Sequence, residues 1–434
     1  MRRFSSATPG AGRTGLAPSR AVLDNGLVVL AKHTDTTPAV TIHLAMRAGS
    51  ICDPDGLPGA MYLLSRVIDR GTATRSADRI AEELDGRGIA LTVTVTRHLF
   101  TIVCTCLAED FDPVLALLGD IVMAPSFPEG EIARRKGETI TAIRQDEDNP
   151  AVRAVEMLMS LLYPGGHPYG RPTKGTVASV EAITRDRLVG LHASRFAPGE
   201  LSLVVVGDVP VGDAQDAAAR VFGAWRTPRP APIVLPHATP AAARRRVVIP
   251  MMNKAQADVA YGFTTITRAD PAYYAFWLMN NALGQYSLGG RLGDSIRERQ
   301  GMAYYVFSSL DANVVEGPLM VRAGVSPANV DRAVASIDEE LTHLTTEGLT
   351  AKEVDDSRRF LIAAMPRALE TNAGIASFLQ SMEFFGLGLD YDVRMPALLG
   401  AVTLDDVHEA ARRVLQPDRA TIVIAGPYQD GGNG

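Results

Sequence analysis

The sequence has little cysteine. Its 434 residues include only Cys52, Cys104 and Cys106, an odd number without framework spacing. Stabilising disulfides are therefore not expected, and a reducing compartment is the default, so we expect a cytoplasmic protein. Alternation along residues 99–107 places Cys104 and Cys106 on one face of a strand, which favours small buried side chains over a metal cluster with His98.

Long apolar runs and net positive charge are also missing. No apolar run approaches the roughly 18 residues that span a bilayer, so we expect no membrane span. The formal net charge of −6 gives no electrostatic argument for a nucleic-acid partner. Residues 1–20 lack the apolar core of a secretory signal and are rich in Pro, Gly and Arg, which predicts a flexible leader; an organellar transit peptide is the weaker alternative.

The chain repeats part of its pattern after 219 residues. Four positions of the first copy, Thr184, Pro198, Leu203 and Gly207, have the partners Thr403, Pro417, Ile422 and Gly426. In each copy these positions belong to a helix, a Pro-containing turn and an apolar strand. A period of this length indicates a domain duplication, because solenoid repeats are much shorter.

A proline-rich stretch separates the two copies. Residues 227–243 contain prolines that prevent both a helix and a central strand, so they predict a stiff linker. The domains are then 21–226 and 244–434. Each combines hairpin signals with runs of helices, which predicts an α+β fold: two homologous domains, each a mainly antiparallel sheet covered by helices.

A helix-to-strand turn near residue 301 carries the best candidate site. The residues before Gly301 have the pattern of a short amphipathic helix, and residues 302–310 that of a strand. Arg297 would then lie on the last helical turn and Tyr304 at the start of the strand. A guanidinium and a phenol are strong donors that suit a peptide carbonyl or the oxyanion formed on attack. The plain alternative is a surface charge and a core aromatic.

The same stretch carries a family resemblance. Gly-Gly-Arg-Leu-Gly-Asp-Ser-Ile-Arg-Glu-Arg-Gln-Gly-Met-Ala-Tyr, residues 289–304, resembles the signature of the second half of pitrilysin/insulinase-family zinc peptidases. Residues 23–27, 166–176 and 323–330 also resemble bacterial two-domain members. In that family a helical Arg and a strand Tyr bind the substrate backbone, which implies this role for Arg297 and Tyr304. His167 is structural in the resembled pattern.

The zinc motif of that family is missing here. Inverted zinc peptidases carry His-x-x-Glu-His on a helix and a further ligand Glu on a later helix. The matching positions are Tyr62, Ser65 and Arg66 on the first helix and Ala142 on the later one. None of these is a good zinc ligand, and a cation occupies a metal-binding position. The resemblance therefore implies an inverzincin-like site that has lost metal binding, so we expect no cofactor in this chain.

Together these features predict the zinc-less subunit of a heterodimeric metallopeptidase, similar to the alpha subunit of mitochondrial processing peptidase. Its partner would be a paralogous chain with His-x-x-Glu-His that holds the zinc, and its substrate a peptide. This chain would supply Arg297 and Tyr304 to the partner's site and would have no independent activity. The alternative is an inert scaffold like the core subunits of respiratory complexes. A monomeric peptidase with unorthodox metal ligation lacks candidate ligands.

Overall fold

The computed structural model describes residues 15–285 and 290–429. Residues 1–14 of the predicted leader and Gly289 of the family-like motif lie outside this range. The described residues form these strands: β1 Ser19–Val22, β2 Val28–His33, β3 Ala39–Met46, β4 Thr92–Val95, β5 Phe100–Leu107, β6 Leu201–Gly207, β7 Arg245–Pro250, β8 Ala257–Thr264, β9 Ala303–Leu310, β10 Pro318–Val325 and β11 Thr421–Gly426.

The α-helices of the described residues are α1 Ala60–Val67, α2 Ala77–Asp85, α3 Phe111–Met123, α4 Glu129–Glu147, α5 Pro150–Leu162, α6 Val177–Ala182, α7 Arg185–Arg195, α8 Val211–Phe222, α9 Tyr273–Asn280, α10 Val330–Thr346, α11 Ala351–Ala368, α12 Asn372–Phe385, α13 Tyr391–Gly400 and α14 Leu404–Val414. Among the described residues between α9 and β9, two segments are π-helical, Asn281–Gln285 and Gly293–Arg299. None of these described helices combines the length and the apolar composition that a bilayer crossing requires.

The strands form two sheets. The first has the order β1-β2-β6-β3-β5-β4 and the second the order β7-β11-β8-β10-β9. Each contains one parallel pairing, β2 with β6 and β7 with β11, and the remaining pairings are antiparallel. The predicted α+β fold of two similar domains with mainly antiparallel sheets is confirmed.

Local signals account for most element ends. The Asn25-Gly26 turn, with φ +88° at Gly26, joins β1 to β2 in the predicted hairpin. Strand β4 begins at Thr92 and not directly after α2. The reason is local: the Ile89 amide donates to the Leu84 carbonyl at 2.9 Å and so completes the end of α2.

The duplication is visible in matching caps. The side chains of Thr184 and Thr403 accept backbone N–H groups and cap α7 and α14. Gly207 and Gly426, with φ of 146° and 141°, end β6 and β11. The same offset of 219 residues relates α4 to α11 and α5 to α12.

The two halves exchange equivalent helices. Leu158 of α5 packs on the second sheet at Gly262, where an added Cβ would lie 2.9 Å from the Leu158 side chain. Gln380 of α12 lies on the first sheet and donates to the Ser202 hydroxyl of β6 at 2.7 Å, with both side chains buried. The halves are therefore packed together through a reciprocal pair of helices, which the sequence did not predict.

Two further expectations concern single side chains. His167 is buried, donates from Nε2 to the Pro236 carbonyl at 3.0 Å and accepts the Tyr169 amide at Nδ1, which is a structural role. The bond to Pro236 also ties the irregular linker to the body of the protein. Cys104 and Cys106 are buried as predicted, and burial raises the pKa of the Cys104 thiol to about 12.

Candidate functional site

The turn between the second π-helix and β9 fixes the positions of Arg297 and Tyr304. Gly301, with φ +61°, donates its amide to the Arg297 carbonyl at 3.1 Å. The Met302 amide donates to the Ile296 carbonyl at 3.0 Å, and both side chains are buried. Arg297 thus lies in the last turn of the helix and Tyr304 at the start of β9, as predicted. The helix differs from expectation in being π-helical, a geometry that is frequent at functional sites.

Tyr304 is the extra residue of a β-bulge on the outer strand of the second sheet. In the register of β9 with β10, Ala303 lies opposite Val325 and Tyr305 opposite Gly324, so Tyr304 has no opposite residue. Bulges commonly re-aim a side chain next to active sites. Tyr304 is 65% exposed, whereas the next residue, Tyr305, donates its hydroxyl to the Asp258 carboxylate.

The polar side chains around Arg297 are held by partners in neighbouring helices. Arg291 donates to both carboxylate oxygens of Glu353 in α11, at 2.6 and 3.0 Å. Gln300 exchanges hydrogen bonds with the Ser336 hydroxyl of α10 at 3.1 and 3.2 Å. These contacts join the residues on either side of the π-helix to α10 and α11.

Arg297 has no such anchor. Its side chain is 43% exposed, and the carboxylate that the described residues offer it is that of the adjacent Glu298, at 3.8 Å. Arg299, two residues later, instead pairs with Asp294 at 2.9 Å. The Arg297 guanidinium and the Tyr304 phenol, which we call the Arg/Tyr pair, are therefore exposed donors on a hydrogen-bonded turn.

The helix that carries the zinc motif in the resembled family is well formed here. The Asp53 carboxylate accepts the amides of Gly59 at 2.8 Å and Met61 at 2.7 Å and so holds the start of α1. Gly59 has φ +90°, and an added Cβ would lie 2.3 Å from the Lys174 carbonyl oxygen. The start of α1 therefore has a backbone geometry that only glycine accommodates at position 59.

The substituted positions, which we call the degenerate site, are Tyr62, Ser65, Arg66 and Ala142. Tyr62 is half-buried, and the buried Ser65 hydroxyl donates to the Tyr62 carbonyl at 2.6 Å. Arg66 is exposed, and Ala142 lies on α4, which packs against α1. Nowhere in residues 15–285 and 290–429 do three His, Cys, Asp or Glu side chains come together as metal ligands. This donor set does not fit zinc, and no metal-dependent step follows from it.

Charges near the degenerate site are balanced between side chains. Arg135 donates to Glu138 at 2.5 Å, and this bond holds the pKa of Glu138 below its usual value, with a smaller contribution from the charge of Arg66. Burial raises the pKa of Asp69, and the nearby charges of Arg70, Arg135 and Arg66 oppose that rise. Guanidinium groups therefore supply the positive charge in this region.

Sequence reasoning missed two buried polar side chains. Asn281 is fully buried, His43 is 7% exposed, and neither finds a hydrogen-bond partner for its side chain among the described residues. Burial lowers the pKa of His43 to about 4. Each interrupts an apolar run, residues 276–283 and 40–46 respectively. An unpaired polar group buried inside an apolar run destabilises the folded state. This interruption of the run was the sequence signal that could have identified Asn281 and His43.

Comparison with known proteins gives two family matches. Residues 28–177 match the family described as insulinase, peptidase family M16, and residues 182–361 match the family described as peptidase M16 inactive domain. Together they span about three quarters of the chain. The first match contains the degenerate site and the second contains the Arg/Tyr pair.

Individual relatives extend over nearly the whole chain. An uncharacterized zinc protease of Streptomyces coelicolor is 26% identical over 95% of this chain and 90% of its own length. A second, from Bacillus subtilis, is 24% identical over 94% and 98%. The crystal structure of a peptidase M16 inactive domain from Pseudomonas fluorescens has a TM-score of 0.88 at 27% identity and covers 95% of this chain and 98% of its own. A Helicobacter pylori protease has a TM-score of 0.84 at 16% identity, covering 94% and 99%.

Proposed function

Because the chain belongs to the insulinase family of peptidases, family M16, we propose that it is the non-zinc subunit of a heterodimeric metallopeptidase. Its partner is a paralogous chain that carries His-x-x-Glu-His and holds the zinc. The two chains cleave peptides together, and this chain has no activity of its own. The residues at the degenerate site support the assignment of zinc binding to the partner, because none of their side chains can serve as a zinc ligand or a general base.

In this proposal the Arg/Tyr pair acts on the substrate in the partner's site. The Arg297 guanidinium and the Tyr304 hydroxyl donate to the carbonyl of the peptide bond that is cleaved. Donors held in place before the reaction stabilise the oxyanion that forms on attack, because they need no reorganisation. Tyr304 lies on β9, an outer strand, so an extended peptide that added to this edge would pass beside the phenol.

One observation carries the proposal. Arg291 and Gln300, on either side of the π-helix, each have a partner in a neighbouring helix, and Arg299 pairs with Asp294 of its own segment. Arg297 and Tyr304 belong to the same short segment but remain exposed, and Tyr304 reaches the surface through a β-bulge. A scaffold gains nothing from an anchored turn that presents two exposed donors, whereas a substrate-binding site requires one.

The experiment is reconstitution from separate chains. This chain and a paralogue with His-x-x-Glu-His are purified separately, and cleavage of a quenched fluorescent peptide is measured before and after mixing. We expect activity to appear on mixing, with a complex of the two chains on gel filtration. A matched control uses a paralogue whose motif Glu is replaced by Gln, which should form the complex and remain inactive. A paralogue that is fully active alone and gains nothing from this chain would favour the inert-scaffold alternative.

A further inference from the structure

The β-bulge that exposes Tyr304 is followed at once by a contact that crosses three strands. Asp258 of β8 lies opposite Gly324 of β10, and Gly324 lies opposite Tyr305 of β9. Neighbouring strands are about 4.8 Å apart, so the backbones of Asp258 and Tyr305 are separated by about 10 Å. The two side chains together span this distance, and the Tyr305 hydroxyl donates to the buried Asp258 carboxylate. The outer strand is thus tied to an inner strand at the residue that follows Tyr304.

Gly324 makes room for this contact. A Cβ added to Gly324 would lie 2.5 Å from the ring carbon Cε1 of Tyr305, and it would also overlap the side-chain amide of Gln256. An aromatic side chain that covers a glycine of the neighbouring strand helps to fix the register of the two strands. The Tyr305 ring can cross β10 at this position because no side chain stands in its way.

The Asp258 carboxylate depends on its hydrogen-bond partners. Burial raises the pKa of Asp258, and the bonds from Tyr305 and Gln256 and the charge of Arg322 oppose this rise. The amide of Gln256 donates at 3.3 and 3.4 Å, which is long for a hydrogen bond. The Tyr305 hydroxyl therefore makes the closer bond. Loss of a hydrogen bond by a buried carboxylate is costly, and this cost keeps the Tyr305 side chain in place.

The residues before the bulge are fixed separately. Met302 and Ala303 are buried, and Ala303 lies opposite Val325. Between Ala303 and the anchored Tyr305 there remains one residue, Tyr304, that has no position opposite β10. Because both of its neighbours are held by the sheet, the extra residue stays at the surface.

We propose that Tyr305 and Asp258 are positioning residues for Tyr304. Their hydrogen bond holds the bulge, and the bulge determines where the Tyr304 hydroxyl lies. A displacement of about 1 Å can lower the rate of an enzyme by about a hundredfold, so a donor to an oxyanion must be held in place. The effect on catalysis rests on the proposed function, whereas the effect on the bulge is a property of this chain alone.

The first test is amide hydrogen exchange of the isolated full-length chain, measured by mass spectrometry. Tyr305→Phe keeps the ring and removes the hydroxyl, so exchange at residues 303–306 should become about tenfold faster as the bulge opens more often. Asp258→Asn keeps an acceptor for the hydroxyl, so its exchange should stay within about twofold of that of the unmodified chain. Unchanged exchange in Tyr305→Phe, or equally fast exchange in Tyr305→Phe and Asp258→Asn, would overturn the proposal.

Tyr261→Phe is the matched control. Tyr261 lies on β8 of the same sheet and also donates its hydroxyl to an aspartate, Asp338, at 2.8 Å. This variant loses the same kind of bond away from the bulge. It should lower Tm to a similar extent as Tyr305→Phe and leave exchange at residues 303–306 unchanged. Faster exchange at these residues in both variants would show a general loss of stability instead of a role for the anchor.

The second test uses kcat of the reconstituted heterodimer and separates positioning from stability. Tyr305→Phe should lower kcat about tenfold, less than removal of the Tyr304 hydroxyl itself, while the heterodimer still forms. In a Tyr304→Phe background the same change should have no further effect, because the hydroxyl that Tyr305 positions is absent. An equal loss of kcat in both backgrounds would overturn the positioning role. An inactive heterodimer would count against the proposed function, and the exchange measurements would still decide whether Tyr305 and Asp258 hold Tyr304.

Discussion

The degenerate site and the Arg/Tyr pair lie in the two halves of one duplicated fold, and they differ in how their polar groups are satisfied. At the degenerate site, Ser65 bonds to the backbone of its own helix, and the charge of Arg66 lies near the acids Glu138 and Asp69. Around the Arg/Tyr pair, neighbouring side chains are anchored while Arg297 and Tyr304 remain exposed. Polar groups at the degenerate site are thus satisfied within the protein, whereas the Arg/Tyr pair leaves donors available to a ligand.

The halves differ in their sites but depend on each other for packing. Helix α5 of the N-terminal half packs on the second sheet, and α12 of the C-terminal half packs on the first. If the halves separated, one face of each sheet would lose the helix that covers it, and a bare sheet face exposes apolar surface to water. A comparison of the two sites is therefore a comparison within one cooperative structure.

The largest effect on stability is expected at the exchanged helices. Leu158 of α5 is fully buried against the second sheet, so Leu158→Ala should destabilise the protein by about 2–5 kcal/mol. Because the helix joins both halves, unfolding should remain a single transition at lower urea concentration. Ser160→Ala, at an exposed position of the same helix, is the control and should change stability by less than about 0.5 kcal/mol. Two separated transitions in the Leu158 variant would show that the halves fold independently.

The next largest effect is catalytic and falls on the Arg/Tyr pair. Tyr304→Phe removes only the hydroxyl, so the heterodimer should form while kcat falls by about a hundredfold, the usual cost of losing a preorganised oxyanion donor. Arg297→Ala should lower kcat similarly and can also raise KM if the guanidinium holds the ground state. Steady-state kinetics of the reconstituted enzyme measures both.

Arg299→Ala is the matched control for this pair. Its guanidinium pairs with Asp294 and Glu340, so loss of the charge should leave kcat within about twofold, as for most exposed ion pairs. If the Tyr304 and Arg297 variants assemble with the partner and cleave peptide at the unmodified rate, the catalytic role proposed for the pair is wrong.

A smaller effect is expected where the π-helix is anchored. Burial raises the pKa of Glu353, but bonds from Arg291 and Thr350 outweigh it and bring the pKa down to about 2. Glu353→Gln should therefore cost about 1–2 kcal/mol at neutral pH. Because the pKa is depressed, the carboxylate stabilises the fold above about pH 4.5, and this contribution is lost as the pH falls toward 2.

The pH dependence distinguishes this anchor from ordinary surface charge. The Tm of the unmodified chain should fall more steeply between pH 4.5 and about 2.5 than that of Glu353→Gln. Asp356→Asn removes an exposed pair with Lys352 on the same helix and should leave the slope unchanged. Identical slopes for all three proteins would show that Glu353 does not anchor the segment.

The smallest effect is expected at the degenerate site. Arg66 is exposed and makes no hydrogen bond to Glu138 within the described residues, so Arg66→Ala should change stability by less than about 0.5 kcal/mol. It should also leave the activity of the heterodimer unchanged. Thermal unfolding and the same peptide assay measure both, and a tenfold loss of activity would show that the degenerate site still takes part in function.

Local sequence signals predicted the fold well because they are short-range. The Asn25-Gly26 hairpin, the Thr184 and Thr403 caps and the glycine that ends the π-helix each depend on neighbouring residues. The duplication could be seen because these signals recur with one offset. The exchange of α5 and α12 could not be predicted, because the pattern of an amphipathic helix does not say which sheet it covers.

The candidate site likewise combines local features, which the sequence predicted, with long-range features, which it did not. The positions of Arg297 and Tyr304 on either side of a turn followed from local pattern, and their roles came from family resemblance. The β-bulge that exposes Tyr304 depends on the register of β9 with Gly324 and Val325 of β10, and the pattern of a single strand does not fix this register.

The central claim is that this chain forms a heterodimer with a zinc-bearing paralogue but holds no zinc itself. The most direct test is metal analysis of the purified chain, of the His-x-x-Glu-His paralogue and of their complex, after each has been equilibrated with zinc and freed of excess metal. The account predicts no stoichiometric zinc in this chain, one zinc in the paralogue and one in the complex. One tightly held zinc in the isolated chain would contradict it.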